Sequence, residues 1–431
     1  MSAAGGAHGL AVHQAEAVLF FTLLQLTVVV LAGRVGSTLA LRWGQSAAVG
    51  EIIVGILLGP SLFGLLAPGA FNYVFHSAPA EPMQVLSQIG LILLMFQIGL
   101  EFDFSHLTEQ RNRRAVLWVA GAGLLLPFAL GAGLGWWVAP FLGGEGHGAL
   151  ATALFVATAF SITALPVLGR IMIEFELTQR PIGVIAISAA AINDVVGWLL
   201  LALVTTLALA QFDAAGFALK VAAVALFGVL SWWVVRPLLK RVVRRAQAVP
   251  GREGALSNNL LGILIAAIFI AGMTTYQLGI FAIFGGFMLG VLLHDEPALV
   301  AAWKARMGQF VTVFFLPIFS TYPGLPTNSG GRGTPQLWGW CALVVGLATV
   351  GKFCGSYLAA RRAGLGRPES RVLGILMNTR ALMELIVINV GYDLGVISQN
   401  LFTMLVIMAI VSTVVTTPLL RRWLPQCDAR S

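Results

Sequence analysis

Residues 181–210 read PIGVIAISAAAINDVVGWLLLALVTTLALA, an apolar run whose only ionisable side chain is that of Asp194. A helix needs about 20 mostly apolar residues to cross a bilayer, so this run is long enough to do so. Similar runs recur along the chain, and they lack the strict alternation of polar and apolar residues found in membrane β-barrels. The sequence therefore predicts an all-α integral membrane protein.

The composition agrees with this class and excludes several others. Hydrophobic residues make up 58% of the chain and charged residues only 10%, whereas soluble domains carry about 25% charged residues. The net charge of +8 comes from short basic loops between apolar runs, a pattern that encodes membrane topology rather than binding to nucleic acid. The cysteines and histidines lack the spacing of a metal site, and no set of catalytic side chains is recognisable. We expect neither a cofactor nor an enzymatic activity.

The apolar runs predict about 13 transmembrane helices. They lie at about residues 15–34, 46–66, 84–102, 114–139, 149–170, 181–210, 216–236, 258–277, 280–293, 305–322, 336–360, 370–392 and 400–420. The ninth is short enough to be a re-entrant segment. Gly131, Gly133 and Gly135 lie within the fourth run with no strand before them, so we interpret them as helix-packing positions and not as a nucleotide-binding loop.

The basic residues orient this set of helices. With the N-terminus outside, 22 of the 26 Lys and Arg residues fall on the cytoplasmic side and only Lys220 and Arg332 fall outside, as the positive-inside rule requires. The C-terminus is then cytoplasmic. An odd number of helices also permits six helices, a linker helix and six more, the inverted-repeat plan of many secondary transporters. We expect a single transmembrane domain over residues 1–431, with the linker helix and a basic cytoplasmic loop at 216–252.

Asp194 is the main candidate for a functional residue. It lies about 13 residues after Pro181, or roughly 20 Å along a helix axis, which places it near the centre of the bilayer. A carboxylate at that depth costs on the order of 3 kcal/mol to insert. One interpretation is a polar contact that holds helices together. We favour a binding site for a cation or a proton, because an isolated carboxylate at this depth usually carries one.

The segment ATAFSITALP at 157–166 is the second candidate feature. Pro166 has no N–H to donate, and its ring opposes helical structure in the preceding turn. The hydroxyls of Thr158, Ser161 and Thr163 can bond the freed backbone groups, and exposed carbonyls can ligate a dehydrated cation. The segment is either an interrupted, ion-binding helix or an ordinary proline kink.

Further ionisable residues lie inside the predicted spans or at their ends. Lys352 is too deep to reach water easily and therefore needs a partner within the protein. Arg380 and Glu384 are one helical turn apart and can pair, and we favour a structural role for this pair in a broken helix over ion ligation. Glu51 and Glu101 lie near cytoplasmic span ends, where we expect solvated residues of an entry funnel.

The chain carries GEIIVGILLGP at 50–60, SITALPVLGR at 161–170, ISAAAIND at 187–194 and MNTRALMELIVIN at 377–389. Together these motifs resemble the monovalent cation:proton antiporter-2 family. The last motif is similar to Kef-type potassium/proton antiporters and plant cation/proton exchangers, and the resemblance covers nearly the whole chain.

The resemblance implies a sodium/proton-antiporter fold in which two interrupted helices cross, within core segments 149–210 and 336–392. It implies a homodimer in membrane lipid, here of a bacterial inner membrane, and an aspartate that binds a cation and a proton in turn. Asp194 matches that aspartate, and Lys352 matches a lysine of the eleventh helix. The remaining candidate ligands of the monovalent cation are Asn193, Thr158, Ser161 and Thr163.

Two departures from the family pattern modify this expectation. Electrogenic sodium/proton members carry two adjacent aspartates, whereas Asn193 precedes Asp194 here, so we expect electroneutral exchange. K⁺ is favoured over Na⁺ by the resemblance of the twelfth helix. Kef-type proteins gated by glutathione continue into a nucleotide-binding domain, which we do not expect here because the chain stops soon after Arg421 and Arg422. The alternatives are a Na⁺/H⁺ antiporter, a cation channel and a transport-inactive membrane sensor.

Overall fold

The computed structural model describes residues 2–60, 62–144, 148–209, 213–247, 256–321, 335–380 and 382–428. Almost all of these residues are helical, and the extended pairing among them is limited to an isolated antiparallel bridge between Gly143 and Ile397. The predicted all-α class is confirmed.

The helices are named here in chain order. The first ten are α1 (Ser2–Arg42), α2 (Ala47–Leu58), α3 (Phe63–Leu66), α4 (Pro68–Phe75), α5 (Glu81–Glu101), α6 (Gln110–Leu142), α7 (Ala149–Ser161), α8 (Leu165–Glu174), α9 (Pro181–Ala208) and α10 (Ala214–Leu230). The others are α11 (Arg236–Gln247), α12 (Asn258–Gln277), α13 (Ile283–Leu293), α14 (Pro297–Trp303), α15 (Leu316–Thr321), α16 (Pro335–Arg362), α17 (Arg367–Met377), α18 (Leu382–Asp393), α19 (Gln399–Trp423) and α20 (Pro425–Asp428).

Within the described ranges, ten helical spans are long and apolar enough to cross a membrane, or up to eleven if the bent pair Pro297–Gly308 and Val311–Phe319 is one span. The two other predicted spans correspond to α13, which has 11 residues, and to the interrupted pair α17 and α18. None of these three helices is long enough to cross alone. The helical membrane architecture is therefore as predicted, while the exact number of 13 is not confirmed.

The chain forms two compact units. The first comprises Met1–Leu91 and Gln309–Gly330. Its helices α1 and α2 approach each other closely. A Cβ added to Gly50 would lie only 2.3 Å from the carbonyl oxygen of Gly36, so the glycine is what permits this approach. Its buried apolar cluster includes Val29, Met83 and Ile318.

The second unit, Ile92–Gly308 with Gly331–Ser431, contains all the candidate site residues. In it α6 lies directly against α7: a Cβ at Gly131 would be 2.8 Å from Ala157 Cα, and one at Gly135 would be 2.7 Å from Ala153 Cα. This confirms the interpretation of Gly131 and Gly135 as helix-packing positions, whereas a Cβ at Gly133 would meet nothing within 4 Å. Close backbone approach of this kind is typical of membrane helix pairs.

Two acidic residues are less exposed than predicted. Glu51, in the first unit, is 1% exposed, and Glu101, in the second, is 7% exposed. Glu101 accepts a hydrogen bond of 2.8 Å from Gln97 Nε2 and lies 3.8 Å from Lys304 Nζ. The prediction of solvated residues was wrong, because a position near the end of an apolar run can still be covered by neighbouring helices.

The basic segment after α10 is partly neutralised by α13. A π-helical turn joins α10 to α11, whose Arg236 donates to Asp295 Oδ2 at 2.8 Å; Lys240 contacts the same carboxylate. Arg244 pairs with Glu296 at 2.8 Å. Partial burial raises the pKa of Asp295, but the hydrogen bond and charge of Lys240 and the charge of Arg236 outweigh it, so the pKa lies below its ordinary value. These pairs hold the start of the basic segment against the end of α13.

Candidate ion-binding site

The first interruption lies between α7 and α8. Helix α7 ends at Ser161, the backbone of residues 162–164 is non-helical, and α8 begins at Leu165. Pro166, the second residue of α8, cannot donate to the carbonyl of Ile162 and would clash with it in a continuous helix. Proline is well tolerated in the first turn of a helix. The segment is thus an interrupted helix and not an ordinary proline kink, while its predicted role in ion binding stays a prediction.

The second interruption lies between α17 and α18, and it crosses the first. Helix α17 ends at Met377 and α18 begins at Leu382. The backbone N–H of Ala164 donates to the Thr379 carbonyl at 3.0 Å. Thr163 Oγ1 donates to the Met377 carbonyl at 3.2 Å. The predicted pair of crossed, interrupted helices is confirmed.

Arg380 connects the second interruption to the end of α7. Its guanidinium is fully buried and donates to Glu384 Oε1 at 3.0 Å, to the Ala159 carbonyl at 2.8 Å and to the Phe160 carbonyl at 2.7 Å. Burying a charge is costly unless it is paired and hydrogen-bonded. The partners of Arg380 meet both conditions, which supports a structural role for the Arg380–Glu384 pair.

Lys352, on α16, completes the capping of α7. Its ammonium donates to the Ser161 carbonyl, and Ser161 Oγ donates to the Thr158 carbonyl at 2.9 Å. The last four carbonyls of α7, at 158–161, therefore all accept hydrogen bonds from side chains. Such carbonyls have no partner within their own helix and carry a negative partial charge, so the two buried cations of the site lie where a helix end stabilises them.

Asp194 lies on α9, opposite the first interruption. Its side chain is 1% exposed, and a Cβ at Gly197, one turn later, would lie 2.7 Å from the Ile162 side chain. Neither carboxylate oxygen has a hydrogen-bond partner among the described residues. The groups that act on it electrostatically are the ammonium of Lys352 and the backbone N–H of Leu165. A carboxylate near the first N–H groups of a helix is stabilised by their partial positive charge.

The structure brings most of the predicted site residues to this crossing. Thr163 bonds the second interruption, whereas Thr158 Oγ1 bonds the Leu154 carbonyl at 2.7 Å within α7. Both polar atoms of the Asn193 carboxamide, Oδ1 and Nδ2, lack a hydrogen-bond partner among the described residues. Three other buried side chains with such an atom lie on α16 and at the second interruption, and they were not predicted as site residues. They are Ser356, Asn378 and Thr379.

Chemically, the crossing offers one carboxylate that can bind a proton or a cation. Around it lie neutral oxygen atoms of hydroxyls, carboxamides and non-helical backbone, the kind of ligand that replaces the hydration shell of a monovalent cation. A negative charge buried without a partner is costly, so the site favours an occupant that neutralises Asp194.

An all-helical membrane protein with a buried carboxylate beside two crossed, interrupted helices belongs to the secondary transporters. Residues 26–424 match the model of the transmembrane sodium/hydrogen exchanger family. The chain belongs to this family, which confirms the monovalent cation:proton antiporter class inferred from the motifs. It is a multi-pass membrane transporter that exchanges a monovalent cation for protons, and not an enzyme.

The similarity to individual proteins extends over the whole fold. The chain is 38% identical to the Na(+)/H(+) antiporter NhaS4 of Synechocystis sp., over 94% of this chain and 98% of that protein. It is 36% identical to Cation/H(+) antiporter 17 of Arabidopsis thaliana over 92% of this chain, but spans only 47% of that protein. The solved structure of the sodium proton antiporter MjNhaP1 from Methanocaldococcus jannaschii shares the fold, with a TM-score of 0.61 and 14% identity over 94% of this chain and 97% of that one.

Proposed function

We propose that the chain exchanges K⁺ for H⁺ by alternating access, with both ions binding in turn at Asp194. The observation that carries the proposal is a buried carboxylate that lies beside two crossed helix interruptions and has no hydrogen-bond partner among the described residues. Lys352 and the Leu165 N–H offset its buried charge only in part, so an occupant that neutralises the charge is favoured. A proton and a cation compete for that role, which couples their movements.

The crossing also supplies the neutral part of the proposed site. Asn193 precedes Asp194, and the hydroxyl oxygens of Thr158, Ser161 and Thr163 retain acceptor capacity after donating to backbone carbonyls. Lys352, Arg380 and Glu384 keep the interruptions in place in this proposal and do not bind the transported ion.

Orientation, oligomeric state and location are part of the same proposal. The distribution of Lys and Arg supports an N-terminus outside and a C-terminus in the cytoplasm. We propose one transmembrane domain, with ion-site helices at 149–210 and 336–392 and a linker at 216–252. It functions as a homodimer in the lipid of a bacterial inner membrane.

Reconstitution of the purified chain into proteoliposomes with an internal pH dye tests the exchange. We expect K⁺ to drive proton movement at a lower half-saturating concentration than Na⁺, with Li⁺ and Rb⁺ completing the series. The reverse order would establish the second candidate, Na⁺/H⁺ exchange, which the similarity to NhaS4 favours. Cation flux without proton movement would instead indicate a channel, and the absence of any flux would indicate a sensor.

Exchange is expected to be electroneutral. Among the described residues of the crossing, Asp194 is the only carboxylate apart from Glu384, which is paired with Arg380, so one proton is released for each cation bound. On a solid-supported membrane, a cation gradient should produce no larger transport current in wild-type vesicles than in Asp194→Asn vesicles. A sustained wild-type current above that control would contradict a one-for-one cycle.

A further inference from the structure

Ser356 on α16 and Asn193 on α9 are fully buried polar residues without an assigned role. The Ser356 hydroxyl and both polar atoms of the Asn193 carboxamide have no hydrogen-bond partner within the described part of the chain. More than about nine in ten buried polar groups in proteins have a partner. Two such side chains in one region are therefore a candidate binding site.

Gly123 on α6 shows that the two side chains converge. A Cβ added at Gly123 would lie 2.8 Å from Ser356 Oγ and 3.8 Å from Asn193 Nδ2. The next nearest atom is Cε of Met377, at 3.9 Å, at the end of α17. One point beside α6 is thus bordered by a hydroxyl, a carboxamide and the edge of the second interruption.

This point adjoins the carboxylate site. Asn193 is the neighbour of Asp194, and Ser356 follows Lys352 by four residues, so that both lie on the same face of α16. Lys352 in turn contacts the end of α7 and acts electrostatically on Asp194. The hydroxyl and the carboxamide therefore lie on the two helices that carry Lys352 and Asp194.

We propose that Ser356 and Asn193 form a neutral oxygen subsite for the transported monovalent cation, next to Asp194, and that Gly123 sets the space available to that cation. The assignment rests on the proposed exchange at Asp194. Ser356 supplies a hydroxyl oxygen. The Asn193 carboxamide, whose nitrogen faces Gly123, supplies its oxygen after a half-turn that leaves its shape unchanged, and Asp194 supplies the charge. Because Gly123 has no side chain, the Ser356 hydroxyl can lie against α6, and a side chain there would displace it.

The role of the Ser356 hydroxyl is testable because a ligand and a packing defect predict opposite results. If the hydroxyl only fills space, Ser356→Ala removes an unsatisfied buried group, which is neutral or stabilising, and cation dependence stays unchanged. If it is a ligand, Ser356→Ala raises the half-saturating cation concentration by about tenfold, since a hydrogen-bond-like contact to a charged group is lost. The protein without cation should remain as stable as the wild type in both cases.

Gly123→Ala is the second variant, and Gly121→Ala is its matched control. The new methyl at position 123 displaces the Ser356 hydroxyl, which can rotate, and narrows the subsite. A methyl at Gly121, on the same helix, would meet nothing within 4 Å. We expect Gly123→Ala to weaken the binding of Rb⁺ and K⁺ by about tenfold relative to that of Li⁺. This is the scale on which one methyl group in a closed site discriminates between ligands. Gly121→Ala should match the wild type.

The experiment measures cation-dependent exchange in proteoliposomes and cation-induced thermal stabilisation of the purified full chain, each titrated with Li⁺, Na⁺, K⁺ and Rb⁺. Wild-type half-saturating concentrations for all four cations in both Ser356→Ala and Gly123→Ala would overturn the subsite. Asp194→Asn is measured in parallel to separate the two proposals. If it retains exchange, the proposed function fails; if it loses exchange while the Ser356 and Gly123 variants behave as wild type, only the subsite fails.

Discussion

Replacing Asp194 with Asn should abolish cation-dependent proton movement and leave the chain folded. Asn has nearly the same shape, so packing around α9 is retained. It carries no charge, however, and neither takes up a proton in the relevant range nor balances a bound cation. Because the carboxylate lacks a hydrogen-bond partner among the described residues, its removal relieves a buried charge and should keep or raise the thermal stability.

The measurement is exchange in proteoliposomes, with the melting temperature of the same preparation as the test of folding. Asp393→Asn provides a matched control, since it makes the same chemical change on an exposed residue at the end of α18. The control should exchange at the wild-type rate. Exchange at a near wild-type rate by a folded Asp194→Asn protein would remove the central residue of the proposed mechanism.

An interruption between α7 and α8 was one of the two predictions for this segment, because Pro166 is a local cause. Pro166 opposes a continuous helix through Ile162, but Pro127 and Pro140 lie inside the unbroken α6, so the proline alone did not distinguish an interruption from a kink. The position of Asp194 within α9 was predictable from length alone, since each residue adds a fixed rise along the helix axis. Local steric and length constraints are present in a single segment of sequence.

The partners of these features could not be predicted from single segments. Arg380 caps the Phe160 carbonyl across 220 positions of the chain, and no spacing in the sequence relates the two. The sequence predicted the pairing of Arg380 with Glu384 one helical turn away. It did not predict the hydrogen bonds from Arg380 to the carbonyls of α7. The same limit explains the error at Glu101, whose burial depends on neighbouring helices and not on its position in an apolar run.

The sequence contained a pattern that could have identified Ser356 as a buried residue. A serine four residues after a buried lysine shares its helix face. In an apolar span, two polar residues on one face indicate that this face packs against other helices and not against lipid. This pattern does not tell which helix that face meets. Only the convergence of α6, α9 and α16 places Ser356 next to Asn193.

Lys352→Gln is expected to lower the stability of the transporter by about 1.5–3 kcal/mol, the scale of a buried hydrogen bond from a charged donor. Its ammonium lies on the Ser161 carbonyl at the end of α7. The sequence indicated only that this lysine needs a partner within the protein, and the observed partner is a carbonyl of the broken helix. A glutamine keeps a donor but loses the charge that a helix C-terminus favours.

In this arrangement the lysine supports the interruption and does not compete with the cation for Asp194. Cation-dependent exchange should therefore remain measurable in Lys352→Gln vesicles, while the melting temperature of the purified protein falls. Lys220→Gln makes the same chemical change on α10, outside the two interrupted helices. It should leave the exchange rate and the melting temperature unaltered. A Lys352→Gln protein that melts like the wild type but no longer exchanges would assign the lysine to the transport cycle itself. The contact of Lys352 with the end of α7 would then have to change with the occupant of Asp194. The crossing would change its structure during the transport cycle instead of staying fixed.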